Sequence, residues 1–183
     1  VFAGSVARLL LQEKGVTIGA HIAAIAGERD ARFDPVGVDA RTLCGLAQSR
    51  FPLLNPEKEA PMRRAVAEAR AAQDSVGGVI ECVACGLPAG VGSPMFDGLE
   101  NTIAYAVFGI PSVKGIEFGA GFSAAAMRGS QNNDPYEVRD GACVPVTNNA
   151  GGILGGISTG APLHFRCALK PISSIGIEQD SVD

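Results

Sequence analysis

Gly119-Ala120-Gly121-Phe122-Ser123-Ala124 has the G-x-G-x-x-A form of the dinucleotide-binding fingerprint, and how it is read decides the fold. A true fingerprint requires a strand, a tight turn and a full helix whose N-terminus receives a pyrophosphate, all within a doubly wound parallel sheet. Upstream, residues 113–118 (VKGIEF) do read as a strand. Downstream, the helical material runs out at Met127, and residues 128–135 (RGSQNNDP) read as loop. The full helix that must follow the glycines, ahead of an acidic residue at the end of the next strand, is lacking. A Rossmann site is rejected on this pattern. A nicotinamide-dependent oxidoreductase resting on this loop stays only as a minor alternative, to be eliminated by a structure without a parallel sheet.

Further along, residues 147–160 (TNNAGGILGGISTG) hold five glycines and no charge. Glycine costs about 0.5–1 kcal/mol relative to alanine in regular structure, so such a cluster implies positive φ or a close approach. It marks a tight chain crossing or a ligand surface. A P-loop is excluded, because Ile157 and Ser158 follow Gly156 where Lys and Ser or Thr are required. In the strand after it, Leu163, Phe165, Cys167 and Leu169 alternate with His164, Arg166, Ala168 and Lys170. Taken alone, the second set reads as a solvent face. Because the strand runs from the glycine cluster to Lys170-Pro171 and then Ser173 and Ser174, the same residues also suit a phosphorylated ligand.

Working back to the start, residues 1–14 carry Phe2, Val6, Leu9 and Leu10 on one helical stripe, with Gly15 as a stop. No Met or N-cap precedes Val1, so the chain reads as a piece of a longer protein. Residues 17–26 read as a strand and about 39–48 as a short helix. Pro61 is expected at the first position of a second helix, with Met62, Ala65, Val66, Ala69 and Val76 buried and Gly77-Gly78 as its stop. Asp97 and Glu100 form a capping-box pattern for a third, burying Leu99, Ile103, Ala106, Val107 and Ile110 and closed by Pro111.

Composition narrows the function. The 183 residues are 46% hydrophobic and 19% charged with a formal net charge of −4, which suits one globular unit. A mildly acidic chain with 5% aromatics and no Trp offers no electrostatic footprint or stacking platform for nucleic acid. No apolar run approaches the roughly 20 residues of a membrane span, and no signal or lipidation motif is seen, so a soluble intracellular protein is expected. The five cysteines do not suggest a disulfide framework. Cys82 and Cys85 form a C-x-x-C, but in a strand they face opposite ways and nothing completes a metal site, so they read as core thiols. His21, in a small apolar strand, reads as a hydrogen-bonded structural residue.

Residues 74–81 (DSVGGVIE), 86–94 (GLPAGVGSP), 113–119 (VKGIEFG), 128–130 (RGS) with Asn133-Asp134, 147–160, and 170–175 (KPISSI) together resemble chorismate synthase, in order and with matching spacing. The resemblance covers nearly the whole chain. It implies an α+β fold of helices sandwiched between antiparallel β-sheets. Residues 1–183 would be a single partial domain, the central to C-terminal-middle portion of the longer enzyme. The implied reaction is the last step of the shikimate pathway in aromatic amino acid biosynthesis. There, 5-enolpyruvylshikimate 3-phosphate loses phosphate and a proton in a 1,4-elimination that needs reduced FMN although it has no net redox change. The implied protein is a cytoplasmic homotetrameric lyase and flavoprotein, with NADPH a candidate source of flavin reduction. By matching position the flavin-binding residues would be Pro111, Ser112, Gly155, Lys170, Pro171, Ile172, Ser173 and Ser174.

The sequence departs from the family's common pattern at Thr159, Ile172 and Ala120, where Asn, Thr and Asp are frequent. Ile172 removes a hydroxyl beside the flavin. The family's Gly-Glu-Ser-His-Gly, Ser-Gly-Arg-Glu-Thr and Gly-Arg-His-Asp-Pro segments are not in the chain, so roughly half of the family's length is missing. Neither His21 nor His164 matches a catalytic histidine, and no catalytic residue or metal ligand is expected here. The isolated segment is expected to be inactive. A non-catalytic flavin-binding or scaffold module is the competing reading.

Overall fold

A computed structural model describes residues 1–139, 141–180 and 182. In chain order the elements are α1 (Phe2–Glu13), β1 (Thr17–Ile25), β2 (Glu28–Arg29), α2 (Ala40–Gln48), α3 (Glu59–Ala71), β3 (Gly78–Cys85), α4 (Leu99–Phe108), β4 (Val113–Phe118), α5 (Gly129–Asn132), β5 (Tyr136–Arg139), β6 (Ala142–Pro145), β7 (Ile153–Leu154), β8 (Ile157–Ser158) and β9 (Leu163–Leu169). Five strands form one sheet in the order β2-β1-β3-β9-β4, and every pairing in it is antiparallel. The fold is α+β. With no parallel strand in this sheet, and only a short 3-10 segment (Gly121–Ala126) after the glycines, the oxidoreductase alternative is eliminated.

β9 is the last strand in the chain, yet it lies inside the sheet, between β3 and β4. Its register sets Arg166 opposite Glu81 on one side and Glu117 on the other, so three charged residues share one face. On that face, α2 and the loop before it pack Phe33, Leu43 and Leu46 on Val83. Asp39 caps α2 by accepting from the Thr42 N–H at 2.7 Å. A Cβ at Gly19 would overlap Leu43, so the close approach of α2 to β1 needs glycine there.

Several local expectations are corrected. Pro61 is the third residue of α3, whose entry is a 3-10 turn (Pro56–Lys58) started by the Asn55 side chain. α3 ends at Ala71 with Gln73 in the left-handed region, so Gly77-Gly78 do not stop it, and of its expected core only Met62 is buried. No capping box forms at Asp97: that residue closes a 3-10 turn, and Gly98 is the N-cap of α4 with no side-chain cap. Ala106 and Ile110 are exposed, while Leu99, Ile103 and Val107 are half-buried. The segment 128–135, read as loop, contains the one-turn α5.

Candidate cofactor cleft and charged face

The glycine cluster is a chain crossing. A Cβ at Gly151 would collide with Gly119, and one at Gly119 with the Asn149 carbonyl, while Gly152 lies against the Pro162 carbonyl. Gly156 sits on Ser93 and Gly98. The fingerprint-like glycines therefore serve a backbone contact, and Gly121 leaves room for the Glu117 side chain. Asp134 secures the crossing by accepting from Thr147 Oγ1 and from the N–H groups of Asn149 and Ala150 at 2.6–2.9 Å. Gly155 is the exception. It is exposed at the β7–β8 turn with φ +59°, and a Cβ there would meet nothing.

Four of the eight residues assigned to flavin lie together. Pro111, Ser112, Lys170 and Ile172 line a cleft of about 540 Å³ whose floor is Ile22, Ile80, Val66 and Ala69. The Lys170 N–H donates to the Ser112 carbonyl at 2.8 Å, joining the end of β9 to the turn after α4. Ser112 is held at φ +73°, a strained conformation for a residue with a Cβ. The Ile172 carbonyl accepts from Ser75 Oγ at 2.6 Å, fixing the segment although the Ile172 side chain is exposed. Pro171 turns the other way and lines a second cleft. Ser173 and Ser174 are exposed and line neither cleft. Gly155 sits beside the first turn of α4, whereas Ser112 follows its last. The ten residues between put these two ends roughly 15 Å apart.

The face of β9 opposite its apolar set is buried at His164 and Arg166, which corrects the solvent-face reading; only Ala168 and Lys170 are exposed there. His21 Nδ1 lies 2.9 Å from Asp30 Oδ2, and His21 Nε2 lies 2.7 Å from Glu81 Oε2. Glu81 Oε1 lies 2.8 Å from His164 Nε2. His21 thus faces a carboxylate on each ring nitrogen and bridges Asp30 to Glu81. Burial alone would raise the Glu81 carboxyl, but hydrogen bonds from His164, His21 and the Phe33 N–H hold it well below its ordinary value of 4.5. Asp30 also accepts from the N–H groups of Leu54 and Asn55, so this chain of charges pins the loop around α2 to the sheet. Beside it Arg166 pairs with Glu117 at 2.9 Å.

His21 is thus hydrogen-bonded, as expected, but it is far from alone. In the sequence Glu81 is the one charged residue of an otherwise apolar strand (GVIECVAC). A carboxylate in such a run must be buried against donors, and that was the available signal. Cys82 and Cys85 are free, and burial pushes the Cys82 thiol up to about 12, so it is a poor nucleophile and ligand. Among the described residues no group of three His, Cys, Asp or Glu side chains is arranged to hold a metal ion.

The chorismate synthase family profile matches residues 1–183. The chain belongs to the chorismate synthase family. It is 51% identical to the chorismate synthase of Lancefieldella parvula, over 99% of this chain and 50% of that protein. The chorismate synthase of Archaeoglobus fulgidus is 47% identical over 100% of this chain and 50% of its own length. A crystal structure of a chorismate synthase superposes with a TM-score of 0.83 at 30% identity, covering 93% of this chain and 54% of that one. The chain spans about half the length of the curated chorismate synthases it matches.

Proposed function

We propose that the longer protein to which this chain corresponds is a lyase that converts 5-enolpyruvylshikimate 3-phosphate to chorismate and phosphate with reduced FMN. The family match along the whole chain carries the reading. The cleft at the end of β9 suits a flavin: its apolar floor fits a planar ring, and Lys170 at its rim fits an anionic group. Pro111, Ser112, Lys170 and Ile172 would hold it there. Pro171, Ser173 and Ser174 would shape the strap around it, and Gly155 would meet it from the β7–β8 turn, where the absence of a Cβ leaves the backbone open. When bound, reduced FMN supplies electron density that helps phosphate leave the substrate.

Within that reading this chain binds and orients. The Lys170–Ser112 hydrogen bond and the Ser75–Ile172 hydrogen bond keep the strap in place, and the chemistry rests on residues in the family's other half. Assembly as a homotetramer, a cytoplasmic location and NADPH-linked flavin reduction belong to the same proposal. No helix among the described residues is long and apolar enough to cross a membrane.

The test is anaerobic chorismate formation from 5-enolpyruvylshikimate 3-phosphate with chemically reduced FMN, for this chain and for the family-length protein. Turnover by the long form and none by the 183-residue chain is expected. A long form that binds FMN without turnover would favour a flavin-binding relative that has lost catalysis.

A further inference from the structure

The second cleft, of about 530 Å³, opens on the charged face of the sheet, between the β1–β2 hairpin and the end of β9. It is separate from the cleft proposed for flavin, because Glu81, Arg166 and Glu117 project from the opposite side of the strands to Ile80. Arg29 and Arg32 line it, both are exposed, and neither guanidinium group makes a hydrogen bond or ion pair with any described residue. Each carboxylate lining it is already engaged. Asp30 accepts from His21, Leu54 and Asn55; Glu81 from His21, His164 and Phe33; Glu117 from Arg166 and the Phe122 N–H.

Arg29, Arg32 and Arg166 match Asp30, Glu81 and Glu117 in number, in a chain whose formal net charge is −4. Arg166 pairs with Glu117, and histidines and backbone N–H groups hold the other two carboxylates, so the guanidinium groups left without a partner are those of Arg29 and Arg32. Gly27 also lines the cleft, and a Cβ there would meet nothing, so the backbone is open at that point. A concave volume of this size with two free guanidinium groups suits a small molecule bearing a planar or tetrahedral oxyanion.

We propose that this cleft binds a small phosphate- or carboxylate-bearing metabolite through Arg29 and Arg32. The site adjoins the cofactor strap. Pro171 lines this cleft, Lys170 and Ile172 line the other, and Gly77, Gly78 and Leu169 belong to both walls. Occupancy here thus bears on the segment proposed to hold flavin.

The test measures thermal unfolding and calorimetric binding of the intact protein with inorganic phosphate and, separately, succinate, each against potassium chloride at matched ionic strength. At least one anion raises the melting temperature beyond the chloride control, and which one does so assigns phosphate or carboxylate chemistry. Substituting Arg29→Gln and Arg32→Gln together leaves the unliganded melting temperature unchanged and weakens binding about tenfold or more. Lys170→Gln leaves binding as it was. The proposal is overturned if neither anion exceeds chloride, if the double variant binds as well as wild type, or if Lys170→Gln abolishes the effect and so places the anion in the flavin cleft.

Discussion

Glu81 has no exposed side-chain surface and accepts three hydrogen bonds, two of them from histidines. Replacing it by Gln keeps the shape but removes the charge that holds two rings, so Glu81→Gln is expected to destabilise the fold by about 3–5 kcal/mol, read from urea unfolding at pH 7. The pH dependence follows in sign from the lowered carboxyl. A group whose acidity is greater in the folded state contributes stability that is complete above its unfolded value, here about 4.5, and is lost as pH falls below it. Wild type should therefore lose stability from about pH 4.5 downward, and Glu81→Gln should lose less over the same interval. An unchanged slope would mean that Glu81 is not the titrating group.

At the scale of elements, the β7–β8 turn separates two uses of glycine. Gly156→Ala places a methyl against Ser93 and Gly98 at φ +87° and is expected to cost about 1–3 kcal/mol in guanidinium unfolding. Gly155→Ala meets nothing and bears only the left-handed backbone penalty of about 1 kcal/mol. If Gly155 faces the cofactor, its variant loses FMN affinity beyond that small cost, measured by flavin fluorescence. The spacing of residues made β1, β4 and β9 legible, because apolar runs bounded by Gly and Pro have a strand's length and period. The start of α4 was not legible, since Asp97 at the end of a 3-10 turn has the same sequence pattern as a capping box. For the candidate site, motif order pointed to Pro111, Ser112, Lys170 and Ile172, which line one cleft. The charge chain of His21, Asp30, Glu81 and His164 was hidden because its members meet only through strand register and a loop, 83 residues apart in the case of Glu81 and His164.

For the whole molecule, strand order makes β9 the piece on which the sheet depends. β3 and β4 each pair with it, and it brings His164 to Glu81 and Arg166 to Glu117. A chain ending at residue 160 would leave two strand edges open and Glu117 without its ion pair, and Glu81 would lose His164. Such a truncation is expected to abolish cooperative unfolding followed by far-ultraviolet circular dichroism. Removing residues 1–14 takes away α1, which buries no residue, and should leave a cooperative transition. If the order of these effects were reversed, the sheet would not be the cooperative unit. The segment proposed to hold flavin begins where β9 ends, with the Lys170 N–H bonded to Ser112 after α4, so on that proposal cofactor binding is linked to insertion of this strand. FMN in excess over its dissociation constant should then raise the urea midpoint of the chain without residues 1–14, and leave the chain ending at 160 without a transition.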